Sequence, residues 1–189
     1  MIIQAIIKLV FYWLTKLIII TIIFLSNGCD IMREKQLVNV LRTKKETIST
    51  MESCTAGYLA TTITNVDNSS EVLKFSAITY SNEFKVKMGV DKKTIDKYSV
   101  YSFNVSRQMA KAISDFTKST YGVGITGKIN RADVNNTTGK DNEIFVTIYS
   151  SINNNYEDVL ITCPNKPREK CKKYIASVVI SKLLDIVGG

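Results

Sequence analysis

Apolar positions follow two alternating periods along most of the chain, from residue 32 to residue 189. Helical spacing is typical of 34–44, where Leu37 and Leu41 share one face, and of a later segment that Ser102 can cap. Strands are predicted at 47–51, 76–80, 121–126, 143–151 and 156–163, and further helices at 55–64, 82–89 and from Pro167 onward. This alternation predicts an α/β fold, a three-layer α/β/α sandwich with a mixed sheet.

The segment 1–31 has a different character from the rest of the chain. Its first 25 residues are the most apolar stretch, but Lys8 and Lys16 interrupt it, and a spanning helix needs about 20 apolar residues. Three interpretations stay open: a membrane anchor, a cleaved signal, or an extension upstream of a second start at Met32. We therefore assign the function to 32–189, in a cytoplasmic protein that residues 1–31 could attach to a membrane.

Charge and cysteine content narrow the classes of partner. The net charge of +8 and the pI of about 9.3 favour an anionic ligand such as a phosphate. The lysines are scattered without a long basic run, so nucleic acid is not an expected partner. The cysteines, at 29, 54, 163 and 171, form no CxxC pair, and the chain has no histidine, so we expect neither a metal site nor a cofactor. Cys163 and Cys171 pair only if the fold brings them together, and otherwise stay reduced.

The stretch "TMESCTAGYLATTITN" ends a predicted strand in Glu-Ser-Cys and starts a helix at once. Such corners are common places for a nucleophile, because the start of a helix leaves free N–H groups that a bound group can use. Ser53 and Cys54 are both candidates. Without histidine, the available bases are Lys, Tyr, Asp and Glu, and a desolvated lysine can lose its proton near neutral pH and activate a serine.

A second stretch, "ITYSNEFKVKMGV", supplies a tyrosine and a lysine. Tyr80 ends a predicted strand, and Lys85 follows one turn into the next helix, for which Asn82 is a possible cap. If the strands at 47–51 and 76–80 are neighbours, Ser53, Tyr80 and Lys85 meet at one edge of the sheet. The alternative is that Tyr80 and Lys85 are ordinary surface residues.

Three motifs in order, "ESCTAGYLATTITNVDNSS", "AITYSNEFKVKMGV" and "SRQMAKAI", resemble the CinA C-terminal domain family. The resemblance extends over about 32–188, and the best-known members of the family are nicotinamide mononucleotide deamidases. It implies hydrolysis of the carboxamide of a small nucleotide substrate to a carboxylate and ammonia, without a metal. It also implies a homodimer.

The resemblance assigns roles to individual residues. It implies that Ser53 is the nucleophile and that Tyr80 and Lys85 complete the catalytic set. The implied substrate-binding residues are Glu52, Cys54, Thr55, Asn82, Thr126 and Gly127. Glu52 and Thr55 flank the nucleophile, and Thr126 and Gly127 belong to a Thr-Gly pair that the family shares.

The chain also departs from the family pattern. Ala56 replaces the first glycine after "ESCT", and "ITGKINRADVNNTTGKDNEIFVTI" replaces a glycine-rich loop of the type "TGIAGPGG" followed by "KPVGTV". Glycines let backbone N–H groups approach a phosphate. In this chain the phosphate could instead be bound by side chains, namely Arg131 and the amides of Asn130, Asn135 and Asn136. The chain is thus expected to be a divergent amidohydrolase, or else a nucleotide-binding protein without turnover or an amidohydrolase of altered substrate.

Overall fold

A computed structural model of the protein describes residues 12–16, 32–134 and 136–188. The strands are β1 (Ile48–Glu52), β2 (Leu73–Ile78), β3 (Tyr121–Gly127), β4 (Glu143–Ser150) and β5 (Asn155–Thr162). The helices are α1 (32–44), α2 (Tyr58–Thr64), α3 (Asn82–Lys87), α4 (Lys92–Tyr98), α5 (Phe103–Thr117) and α6 (Arg168–Gly188). A single 3₁₀ turn, Ser69–Glu71, precedes β2.

The five strands form one mixed sheet in the order β2-β1-β3-β4-β5. The first three run parallel, with Glu52 opposite both Ile78 and Ile125, whereas β4 and β5 are antiparallel and joined as a hairpin. The carboxyl ends of β1, β2 and β3 therefore share one edge of the sheet. In open α/β sheets this edge is where ligands bind.

Helices cover both faces of the sheet. On one face, α1, α2 and α6 pack through buried side chains such as Leu37, Leu59 and Ile175. On the other, α4 and α5 pack through Ile95 and Met109. The predicted three-layer sandwich with a mixed sheet is thus confirmed.

Helix α5 lies unusually close to the centre of the sheet, against β3. A Cβ atom at Gly122 would lie 2.0 Å from the Ala110 carbonyl oxygen, and one at Gly124 would lie 2.2 Å from the Ser106 carbonyl oxygen. Both distances are far below van der Waals contact, so only glycine fits at these two positions. The "YGVG" of the sequence therefore sets the distance between α5 and the sheet.

Three local predictions differ from the structure. Strand β2 spans Leu73–Ile78 instead of 76–80, and helix α4 was not predicted at all. The cap of α3 is Ser81, whose side chain accepts a hydrogen bond from the Phe84 N–H, and Asn82 is the first helical residue. The hydroxyl of serine reaches back to the third N–H of the helix more readily than a side chain already inside the first turn.

Little of the segment 1–31 lies within the described residues. Residues 12–16 are helical and exposed, and the predictions for the rest of the segment, including Cys29, lie outside the described part. Among the described helices, none has the length and apolar character needed to cross a membrane.

Candidate active site

The candidate nucleophile Ser53 lies in the turn between β1 and α2. Its N–H donates to the Ile125 carbonyl over 3.0 Å, which fixes the first residue after the strand. The chain then reverses through two residues of positive φ, Ala56 at 53° and Gly57 at 84°. Gly57 adopts this conformation freely, whereas Ala56 does so at a cost of about 1 kcal/mol. The reversal keeps Ser53 at the carboxyl edge of the parallel strands.

Lys85, from α3, is the side chain that contacts Ser53. It is 1% exposed, and its Nζ donates to Ser53 Oγ over 3.1 Å and to the Thr79 carbonyl over 2.8 Å. Burial lowers the pKa of Lys85 from 10.5 to about 8, because removal from water disfavours the ammonium form, and Cys54 and Asp133 only partly oppose this. A lysine with this pKa, bonded to a serine hydroxyl, is suited to act as a general base.

The second candidate nucleophile, Cys54, is in a different electrostatic state. Burial raises the pKa of its thiol to about 12, and the neighbouring Cys163 adds to this effect. Such a thiol stays protonated near neutral pH, and only a thiolate is reactive. Between the two candidates, the geometry and the charge therefore favour Ser53.

The thiols form no disulfide in the described structure. Cys163 and Cys171 are hydrogen-bonded neighbours, and both are free, as is Cys54. Within the described parts of the chain, no three or more Cys, Asp or Glu side chains are grouped so that they could hold a metal ion.

Glu52 was expected to contact substrate, but in the structure its carboxylate binds groups of the chain itself. The side chain is fully buried, and its carboxylate accepts from the N–H groups of Leu59 over 3.2 Å and Ala60 over 3.0 Å, and from the Thr50 hydroxyl over 3.2 Å. It thus occupies the donors at the start of α2, which has no capping side chain at Gly57. In this structure Glu52 holds the turn that carries Ser53, the candidate nucleophile.

Two hydroxyl groups beside the Ser53–Lys85 pair lack partners. The Oγ1 atoms of Thr55 and Thr79 are buried, and neither has a hydrogen-bond partner in the described part of the chain. The backbone N–H groups of Cys54 and Thr55 likewise donate to no backbone carbonyl there. A buried hydroxyl without a partner is costly, and an oxygen atom of a bound ligand would supply one.

Tyr80 is at the rim of the site, 64% exposed. Its hydroxyl accepts from the Arg168 guanidinium over 3.4 Å, and Arg168 also donates to the Ile129 carbonyl. Among the described residues, Tyr80 makes no hydrogen bond to Ser53 or Lys85, so the structure brings the lysine to the serine but not the tyrosine. Arg168 was not predicted from the sequence as a site residue. An arginine at the start of a helix is unusual, because cations are disfavoured there, and this position could have indicated a role in binding.

Thr126 and Gly127 end β3 next to this site. Thr126 is buried and its hydroxyl donates to the Val100 carbonyl over 3.0 Å. A Cβ at Gly127 would lie 2.4 Å from the Glu143 carbonyl oxygen. In this structure both predicted substrate-binding residues support the strand end and the segments beside it.

Comparison with known families shows to which family the chain belongs. Residues 31–182 match the CinA C-terminal domain, which is most of the chain. The chain belongs to the CinA family. Its relatives in that family include a competence-damage inducible protein of Clostridium perfringens, 40% identical over 99 residues, and a CinA-like protein of Flavobacterium psychrophilum, 38% identical over 118 residues.

These CinA relatives are much longer proteins. The matched parts cover 52% and 61% of this chain but only 24% and 28% of the two relatives. Solved CinA structures match over a larger part of their length. A competence/damage inducible protein of Agrobacterium tumefaciens has a TM-score of 0.75 at 20% identity, covering 85% of this chain and 96% of that one. A CinA superfamily protein of Klebsiella pneumoniae has a TM-score of 0.77 at 15% identity, covering 84% and 98%. At these identities the likeness shows the fold alone.

The segment 128–142 stands where the CinA pattern has its glycine-rich loop. Arg131 is exposed there, and its N–H donates to the Asp141 carbonyl over 3.3 Å. Asn130 donates to the Pro164 carbonyl over 2.7 Å, and Asn135 lies outside the described residues. Of the described polar groups predicted to replace the glycines, Arg131 and Asn130 are exposed and Asn136 is half-buried, and Asn130 is already hydrogen-bonded to the chain.

Proposed function

We propose that this domain is an amidohydrolase that uses Ser53 as its nucleophile and Lys85 as its general base. The observation that carries the proposal is the 3.1 Å hydrogen bond from Lys85 Nζ to Ser53 Oγ in a buried setting. The lowered pKa of Lys85 supports it, because a measurable fraction of the lysine is neutral at physiological pH.

The reaction proceeds in two halves. Neutral Lys85 takes the hydroxyl proton as Ser53 Oγ attacks the amide carbonyl carbon, and the carbonyl oxygen becomes an oxyanion. The N–H groups of Cys54 and Thr55 and the Thr55 hydroxyl are the donors available to that oxyanion. The C–N bond then breaks, Lys85 returns the proton to the leaving ammonia, and a water hydrolyses the resulting ester with Lys85 again as base.

The proposed substrate is a nicotinamide mononucleotide-like carboxamide. The resemblance to nicotinamide mononucleotide deamidases supports this choice, as does the net positive charge of the chain. Arg168 and Arg131 are the proposed partners of the phosphate, since Arg168 is in contact with Tyr80 at the rim and Arg131 is on the adjacent loop. Tyr80 then orients the substrate and Arg168. To relay a proton between Ser53 and Lys85, its hydroxyl would have to move.

Release of ammonia from nicotinamide mononucleotide by the full chain tests the proposal. The matched control is Ser53→Ala, which keeps the fold because it removes one atom at a small-residue corner. We expect ammonia from the parent chain alone, and other carboxamides measured in parallel separate an inactive protein from one of altered substrate. Failure of the parent to hydrolyse any carboxamide contradicts the proposal.

The second candidate function is nucleotide binding without turnover. The replaced loop at 128–142 favours it, because the glycine-rich phosphate contact of the family pattern is missing there. Nucleotide binding without ammonia release would support this alternative. The predicted homodimer stays a prediction, which light scattering on the purified chain tests.

A further inference from the structure

A series of hydrogen bonds links the segment 128–142 to helix α3 and to Tyr101, which precedes α5. Asn82, at the start of α3, donates from Nδ2 to Asn136 Oδ1 over 3.1 Å. Asn136 in turn donates from Nδ2 to Asp133 Oδ2 over 2.9 Å. The Tyr101 hydroxyl donates to the same carboxylate oxygen. The carboxylate of Asp133 is therefore held in a fixed place between α3 and the segment that precedes α5.

This place is close to the reacting pair. Asn82 lies one turn before Lys85 on the same helix, and the negative charge of Asp133 raises the pKa of the Lys85 ammonium against the effect of burial. Asp133 is half-buried, so its charge is screened by water less than that of an exposed residue. The buried base and a fixed carboxylate thus act on each other electrostatically.

We propose that Asp133 is a specificity-determining residue, which selects carboxamides carried on a positively charged ring. The inference rests on the proposed amide hydrolysis. In the reactive state Lys85 is neutral, so the electrostatic attraction between Lys85 and Asp133 is lost. A pyridinium ring bound at the site is attracted to the Asp133 carboxylate, whereas an uncharged ring of the same shape is not. A bound cation also offsets the effect of Asp133 on Lys85, and so favours the neutral, reactive lysine.

The test compares two ligands that differ in ring charge: nicotinamide mononucleotide and its dihydro form, in which the ring is neutral. The proteins are full-length parent, Asp133→Asn, and Asp141→Asn. Asparagine keeps the size of aspartate and still accepts from Tyr101. Asp141 is a matched control, since it belongs to the same loop and pairs with Lys128 over 3.2 Å. Dissociation constants are measured by calorimetry in a Ser53→Ala background, and kcat/KM for the cationic ligand is measured with Ser53 intact.

We expect Asp133→Asn to weaken binding of the cationic ligand about tenfold, the size of one partly screened charge pair, and binding of the dihydro form less than twofold. Asp141→Asn should leave the ratio of the two affinities unchanged. Equal losses for both ligands in Asp133→Asn would mean that Asp133 only fastens the loop, and unchanged affinities would mean that it has no part in recognition. Either result overturns the inference.

Failure of the proposed function is a separate outcome. In one outcome the parent chain releases no ammonia, but adding Asp133→Asn to the Ser53→Ala form removes the preference for the cationic ligand. This result contradicts the hydrolysis and supports the role of Asp133. A parent chain that hydrolyses nicotinamide mononucleotide, with the same ring preference before and after the substitution, supports the hydrolysis and overturns this inference.

Discussion

Replacing Lys85 by methionine measures the electrostatic cost of the buried lysine separately from its proposed catalytic role. A pKa of about 8 in place of 10.5 means that burial disfavours the ammonium by about 3 kcal/mol at pH 7. Between pH 8 and pH 10.5 the unfolded chain binds more protons at this residue than the folded chain does, so the stability of the parent rises with pH across this window. Methionine has a similar length and no charge, so the variant lacks this dependence.

The measured quantity is the difference in unfolding free energy between parent and Lys85→Met. It should shift by about 3 kcal/mol in favour of the parent between pH 7 and pH 11. The lost hydrogen bonds to Ser53 and to the Thr79 carbonyl add an offset that does not change with pH, and other titrating groups cancel. Urea unfolding followed by circular dichroism suits the assay, because the single tryptophan, Trp13, lies in the amino-terminal segment.

The same lysine predicts the pH dependence of turnover. If neutral Lys85 is the base, kcat/KM rises about tenfold per pH unit below 8 and levels off above it. Lys85→Arg should be nearly inactive, because arginine keeps the charge but does not lose its proton in this range. A kcat/KM that is flat from pH 6 to pH 9, or a stability difference that is constant with pH, would refute the assignment of Lys85 as a buried base.

Further predictions concern the turn, the sheet and the rim of the site. Ser53→Ala should reduce amide hydrolysis below about one thousandth of the parent rate in a chain that still folds, with a loss of about 1 kcal/mol for the hydrogen bond from Lys85, and activity within a few-fold of the parent would remove Ser53 from the mechanism. Ala56→Gly should stabilise the fold by about 1 kcal/mol in urea unfolding by relieving a positive φ, and a loss of stability would contradict this. Gly124→Ala should destabilise it by about 3 kcal/mol, since α5 leaves no room for a methyl group, and a neutral effect would show that α5 can move. Arg168→Ala and Arg131→Ala should each weaken mononucleotide binding about ten- to a hundredfold and spare the nucleoside, and no effect from either would leave the phosphate without a partner.

The layers of the fold were predictable because they depend on local patterns. Buried apolar residues repeat with helical or strand periods, and the hairpin signal between β4 and β5 is local. Strand β2 was misplaced because it is at the edge of the sheet, where side chains such as Phe75 are exposed and the alternation of burial is weak. Helix α4 was missed because Ile95 is its single buried residue, too little for a period to appear. Its clearest signal is the cap, Asp91, whose side chain accepts from the Lys93 N–H.

The sequence predicts those parts of the candidate site for which the residue type alone determines the possible chemistry. Without histidine, a serine at a strand–helix corner needs another base, and the sequence offers Lys85, which contacts Ser53 in the structure. The role of Glu52 depends on the direction of its side chain into the start of α2, which no local pattern reveals. Arg168 and Asp133 come to the site from distant parts of the chain. The position of Arg168 at the start of a helix is a local signal, but a single sequence does not show which distant residues either side chain contacts.

The buried carboxylate of Glu52 makes the turn at Ser53 independent of any bound ligand. Because it already neutralises the positive start of α2 from inside the protein, the scaffold of the nucleophile does not need an anionic substrate to be complete. Under the proposed function, the groups that contact the substrate come instead from the rim and from the segment 128–142. The turn that carries Ser53 and the segment 128–142 are held by separate sets of hydrogen bonds, so a change in the second does not require a change in the first.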